Sequence, residues 1–276
     1  MDYKNALGFG VAGNFAGHLE QAGEAADFAK VVTKDAKAPK ALFPFYLPGK
    51  GDSFLSVYPL SSSQIKYPAG ADNLQIEPEV GVEFEIVYDG SGKVSALKPV
   101  CFGAYNDCSI RRQGAKKISE KKNWGPCSKG FSEKTVPLSS FAAGCELDGY
   151  RIASFLIRDG ECFVYGVDSP TVGYSYFHEN LTDWMIDRMN NQKDDGPAED
   201  LASYIDDCGR PSRCVVSIGA TRYTEFGESH FLKPGDTSVV VVYKEESHRP
   251  HAVFGLVCGQ KFDEIDGCVL VQKVVE

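Results

Sequence analysis

The sequence has no surplus of positive charge: 29 Lys and Arg stand against 38 Asp and Glu, for a formal net charge of −9 over 276 residues. A chain with so little to displace counterions is not built for nucleic acid or an anionic membrane. It also lacks any apolar run long enough to cross a bilayer, and its start, "MDYKNALGFG", has neither the charged n-region nor the apolar h-region of a signal peptide. A cytoplasmic location is therefore expected. No two of the nine cysteines form a C-x-x-C pair, and the odd, scattered set points to reduced thiols rather than disulfides or a zinc ribbon. There is no internal repeat and no regular βαβαβ series. What the chain does have is 43% apolar residues, enough for one sizeable core.

Hydrophobic spacing divides the chain coarsely. Leu19, Ala22, Ala26, Phe28 and Val31 predict a short helix over 18–33. Residues 39–70, rich in Pro, Gly and Ser, read as loops and short edge strands with no long helix. "LQIEPEVGVEFEIVY" alternates at period two, and "DGSG" turns it into "KVSALKPVCFGAYND", a hairpin or short crossover. "VPLSSF", "YRIASFLIRDGECFVYGV", "SRCVVSIGATRY" and "DTSVVVVYKEE" supply further strands. "YFHENLTDWMIDRMNNQ" is the strong helical stretch, and "NQKDDGPAEDLASYIDDCGRP" a loop with a short helix. The class is α+β and β-rich.

Gly8-x-Gly10-x-x-Gly13 has the count of a dinucleotide-binding turn. That turn needs a buried strand before it and an acid about 20 residues later at the end of a second strand. Only "MDYKNA" precedes Gly8, and "VVTKDAKAPK" is a poor second strand, so sharp turning at a strand end is the simpler reading.

Glu77 and Glu79, two apart in a strand, project from one face, with Asp107 near the end of the following strand. Such hard oxygen donors suit Mg²⁺ or Mn²⁺, with Ca²⁺ as an alternative occupant. Alternating acids are also the usual mark of a solvated face, and Glu83 and Glu85 continue the parity. Cys108 beside Asp107 has no histidine near it in sequence and reads as a packing residue, as does Trp124. His248 and His251 read as surface residues, and His178 and Glu179 as the start of a helix.

Five blocks in order carry more weight than any one of them. "GNFAGH", "IEPEVGVEF", "FGAYNDCSIRRQ", "NWGPCSKGFSEKTVPLSSF" and "SIGATRYTEFGESHFLKPGDTSVVV" together resemble the fumarylacetoacetate hydrolase superfamily over roughly residues 8–245. The resemblance implies a mixed β-roll or β-sandwich core with a few peripheral helices, commonly a homodimer. It would be one domain over 1–276, with the histidine motif and loops in 1–70 and the catalytic core in 71–276. It implies Glu77, Glu79 and Asp107 as metal ligands, Lys129 as a substrate-contacting cation, and His18 as general base. Asn14, Arg111, Gln113 and Thr221 fall at substrate-binding positions.

Two departures stand out. The acid that usually partners the histidine, three residues on, is Gln21 here, which leaves Glu20 as the candidate partner. Arg112 stands where the family has Asp, at the head of a basic loop containing Lys116, Lys117, Lys121 and Lys122 that is either solvated or steers a carboxylate.

The expected activity is metal-dependent hydrolysis of a C–C bond in a 2-oxo or 2,4-dioxo carboxylic acid of the acylpyruvate type, a small-molecule carboxylate being the substrate. Decarboxylation, hydration or isomerisation would use the same enolate. A non-catalytic ligand-binding protein of the same fold is the alternative class, favoured by Gln21 and Arg112.

Overall fold

Aromatic cover explains the first glycines. The computed structural model describes residues 2–24, 28, 35–71, 73–112 and 114–276. In it Leu7–Ala12 (β1) pairs antiparallel with Ala41–Tyr46 (β2), Gly10 facing Phe43. The rings of Phe43 and Phe45 lie across Gly10 and Gly8, so that a Cβ would come within 2.2 Å and 2.3 Å of a ring carbon. These glycines make room for rings, not for a phosphate. The helix that follows, His18–Gln21 (α1), is a single turn; of the expected helix over 18–33, residues 25–27 and 29–33 lie outside the described residues.

The stretch 39–70 holds the expected short strands Leu60–Ser61 (β3) and Gln64–Lys66 (β4). It also supplies all of β2, which is buried along its whole length. Pro44 is tolerated there because β2 ends its sheet.

Leu74–Gln75 (β5) precedes the expected hairpin, Pro78–Tyr88 (β6) and Val94–Asn106 (β7), closed by "DGSG". Short strands follow at Ser109–Ile110 (β8), Lys129–Phe131 (β9) and Val136–Pro137 (β10). Tyr150–Arg158 (β11) and Glu161–Pro170 (β12) form a second hairpin. Arg213–Ser217 (β13), Thr237–Lys244 (β14) and Gly267–Val275 (β15) complete the strands.

An eight-stranded sheet runs β2-β1-β13-β6-β7-β9-β3, with β10 also on β7. It is mixed, since β1–β13 and β3–β9 are parallel. A five-stranded sheet runs β12-β11-β14-β15-β4, and β5 pairs with β8. The main core lies between the two large sheets, where Val82, Phe84 and Phe102 meet Ile152, Val240, Val242 and Leu270.

Helix His178–Asn191 (α2) matches its periodicity, burying Leu181, Met185 and Met189 at i, i+4 and i+8. Leu201–Asp207 (α3) is capped by Asp200, and Glu225–Ser229 (α4) by Thr224. Pro250–Cys258 (α5) was not legible in the sequence. Its Val253 and Val257 cover Val239, Val241 and Tyr243, the face of β14 opposite Val240 and Val242. The unbroken "VVVV" run is apolar because both of its faces are buried. The fold is the β-rich α+β roll expected, and no helix among the described residues is long and apolar enough to cross a membrane.

Candidate active site

The β6–β7 ladder opens at one end, and the acids sit there. Pro78 pairs with Asn106 and Glu79 with Tyr105, so Glu77 and Asp107 flank the last rung, joined by Asp107 N–H to the Glu77 carbonyl at 3.0 Å. Asn106 fixes this end from below: its Oδ1 accepts Glu77 N–H at 3.1 Å, and its Nδ2 donates to Gln272 Oε1 at 3.1 Å and Ser238 Oγ at 3.3 Å in the other sheet. Glu77, Glu79 and Asp107 are all buried, each with a carboxylate oxygen within 4.8 Å of the others. The period-two reading of Glu77 and Glu79 holds. The solvated-face alternative does not, and it fails at Glu83 too, which is buried and bound by Arg213 and by the Tyr3 hydroxyl at 3.3 Å.

The basic loop is only half a solvated loop. Lys116 is exposed and Lys117 partly so, reaching Asp194 at 2.8 Å, while Lys121 and Lys122 are buried. Lys122 Nζ lies 2.7 Å from Glu77 Oε2 and 2.5 Å from Asp107 Oδ2. Lys129 Nζ lies 3.3 Å from Asp107 Oδ1 and donates to the Cys108 carbonyl. Arg111 donates to three acceptors, Gln75 Oε1 at 2.7 Å, Glu24 Oε1 at 2.8 Å and the Tyr223 hydroxyl at 2.9 Å, and ion-pairs with Glu77 Oε1 at 2.6 Å. Lys121 also pairs with Glu24, at 3.2 Å. Local sequence does not distinguish the two Lys-Lys pairs. The second is drawn inward because Asn123 donates to the carbonyls of Phe45 at 2.8 Å and Val57 at 2.9 Å.

Charge sets the titration of the group. Burial by itself would raise Glu77, but Lys122 and Arg111 hold it well below the usual carboxylate range. Glu79 is pushed well above that range by burial and by the charges of Asp107 and Glu77. Its Oε2 accepts the Gly219 N–H at 2.6 Å, and among the described residues it has no ion-pair partner. Burial raises Asp107 despite its two lysines, and lowers Lys129. Cys108 is pushed up to about 12 by burial, which makes it an inert thiol.

His18 lines the same small cavity as the three acids, a space of about 20 Å³ that also borders Lys122 and Glu24. Its Nδ1 lies 2.9 Å from the Thr221 carbonyl. A carbonyl only accepts, so Nδ1 carries the proton and Nε2 the lone pair. Burial lowers its pKa to about 4 and keeps the ring neutral. Glu20 is exposed and makes no hydrogen bond to His18; the carboxylate partner expected of it is a backbone carbonyl instead. Gln21 serves the scaffold, clasping Tyr223 through N–H to Oε1 at 2.9 Å and Nε2 to carbonyl at 3.2 Å.

Asn14, expected to face substrate, is spent on structure: Nδ2 donates to the carbonyls of Ile218 at 2.8 Å and Tyr176 at 2.9 Å, and Oδ1 accepts Tyr176 N–H at 2.8 Å. Thr221 is buried and meets His18 through its main chain. Gln113 lies outside the described residues. Outside the cavity, Arg111 and Arg112 line an open cleft of about 500 Å³ together with Glu24, Lys121 and Asn73. Sequence reasoning missed Lys122 and Glu24 as site residues.

Three buried carboxylates are the donor set that a hard divalent cation takes, and Glu77 Oε1 and both Asp107 oxygens are buried without a hydrogen-bond partner among the described residues. By donor chemistry the residues fit the group.

Comparisons with known proteins agree on the fold. A model of a family described as "Family of unknown function (DUF5718)" matches residues 24–274. No curated protein sequence matches the chain. Among solved structures, that of Cg1458 has a TM-score of 0.54 at 15% identity, covering 98% of this chain and 76% of the other. That of 2-keto-3-deoxy-D-arabinonate dehydratase complexed with magnesium and 2,5-dioxopentanoate gives 0.52 at 16%, covering 98% and 72%. That of 5-carboxymethyl-2-hydroxymuconate delta-isomerase from Mycobacterium smegmatis gives 0.52 at 14%, covering 98% and 78%. With a family model matching nearly its whole length, the chain belongs to the DUF5718 family, and it shares the fold of these solved structures.

Proposed function

We propose that the chain is an enzyme acting on a 2-oxo or 2,4-dioxo carboxylic acid through its enolate, with Glu77, Glu79 and Asp107 holding Mg²⁺ or Mn²⁺. The observation that carries this is the convergence of those three buried carboxylates with His18 and Lys129 at one end of the β6–β7 hairpin. The names of two structural relatives, a dehydratase of a 2-keto acid and an isomerase of a muconate, support the substrate class. A divalent ion bound there would supply Lewis-acid polarisation of the substrate's oxygens.

The chain's own residues supply the rest. Lys129 sets a fixed positive charge beside Asp107 where an enolate oxygen would develop charge, without reorganising to do so. His18 offers the Nε2 lone pair for the proton, its ring held by Thr221. Arg111 and Arg112 give the outer cleft the positive charge that draws a carboxylate into an otherwise acidic protein. Hydrolysis of an acylpyruvate C–C bond is the reading we put to test first. Dehydration or isomerisation is favoured by one specific observation: His18 Nδ1 is held by the Thr221 carbonyl rather than, among the described residues, by a carboxylate, which weakens it as an activator of water.

The test is turnover of acylpyruvates, oxaloacetate and 2-keto-3-deoxy acids with Mg²⁺ or Mn²⁺. His18→Ala is expected to lower kcat about 100-fold or more, as loss of a general base does. Undiminished turnover in that variant removes His18 as the base. Oxalate binding without turnover of any of these substrates would instead favour a ligand-binding protein.

A further inference from the structure

Lys122 pairs with two of the three carboxylates that would hold the proposed ion. Its ammonium bridges Glu77 Oε2 at 2.7 Å and Asp107 Oδ2 at 2.5 Å, and Glu77, Glu79 and Asp107 each bring a carboxylate oxygen within 4.8 Å of the others. The side chain is buried, with the Phe43 ring 5.2 Å below Nζ. The cavity of about 20 Å³ leaves room for little more than one water-sized occupant beside it. A dication held by these carboxylates would meet the Lys122 ammonium at Glu77 and Asp107.

From this we infer that Lys122 is a tethered cation that occupies the position of the divalent ion, so that lysine and metal compete for the same oxygens. The inference rests on the reading of Glu77, Glu79 and Asp107 as the metal ligands. An internal competitor acts at high effective concentration, so the parent protein binds divalent ions far more weakly than its donor set alone would. Metal binding then requires Lys122 to swing out, which exposes its amine.

The experiment is Mn²⁺ titration of the full chain followed by electron paramagnetic resonance, in the parent, Lys122→Gln, Lys129→Gln and the double variant Lys122→Gln/Glu79→Gln. Lys129→Gln removes the same charge beside Asp107 without vacating the shared position. Expected is binding at least about ten-fold tighter in Lys122→Gln than in the parent, a smaller gain in Lys129→Gln, and loss of the gain in the double variant. Equal binding in parent and Lys122→Gln, lost in the double variant, overturns the competition and leaves the metal site standing. A matching gain in Lys129→Gln overturns it as mere electrostatics. Absence of Mn²⁺ binding in every variant overturns both the competition and the metal site.

Should Lys122→Gln fail to fold, amine acetylation of the parent read by peptide mass spectrometry decides the matter. Labelling of Lys122 must rise with saturating Mn²⁺ while that of Lys129 does not. Unchanged labelling of Lys122 overturns the inference.

Discussion

Replacing Arg111 by Met tests whether the site is held together by its guanidinium. The side chain is 8% exposed and the carboxylates it pairs with, Glu24 and Glu77, are 10% and 4% exposed, so both ion pairs are out of water. Breaking a buried pair from one side costs about 3–5 kcal/mol, because the remaining charge stays buried. Two neutral acceptors, Gln75 Oε1 and the Tyr223 hydroxyl, lose a donor as well, at about 1 kcal/mol or more each. The loss is moderated because Lys122 still faces Glu77 and Lys121 still faces Glu24. We therefore expect a net loss of about 4 kcal/mol, which for a domain of this size lowers Tm by on the order of 10 °C. Urea and thermal unfolding followed by circular dichroism measure it. Arg111→Lys keeps the charge but cannot reproduce a planar fork over three acceptors, and is expected to lose roughly half as much. An Arg111→Met protein within about 1 kcal/mol of the parent would show that the lysines alone neutralise the acids and refute the reasoning.

Further predictions concern the scaffold and its titration. Gly10→Ala drives a Cβ into the buried Phe43 ring and should cost about 1–3 kcal/mol, recovered in part by Phe43→Leu in a double-mutant cycle; additive losses would show the ring is not the obstacle. Burial raises the Glu199 carboxyl from its ordinary 4.5 to about 7, so the fold binds a proton that the unfolded chain has released. Stability is therefore greatest below the unfolded value and falls as pH rises through about 7, by at most about 3 kcal/mol. Glu199→Gln should flatten urea midpoints between pH 5 and pH 8; an unchanged slope would assign the dependence elsewhere. Asn14→Ala leaves the Tyr176 amide and two carbonyls without their bracket and should cost about 2 kcal/mol, while a fall in substrate affinity without loss of stability would restore the substrate role denied to it here.

Much of this molecule was legible in its sequence where a periodic pattern met a turn. The 74–106 hairpin, the helix at 178–191 and the parity of Glu77 with Glu79 follow from side-chain geometry over a few residues, which any chain with those spacings must obey. Strand β2 and helix α5 were less legible, because in a short segment that contains Pro it is the neighbour's face that decides burial. The same holds at the site. The types and order of the acids, Lys129 and His18 are sequence properties, and so is the absence of an acid three residues after His18. Which of two identical Lys-Lys pairs turns inward, that Glu20 points away, and that a backbone carbonyl takes its place were settled only by tertiary structure. Desolvation is the reason: the cost of burying a charge depends on partners brought from distant parts of the chain, and no local pattern records them.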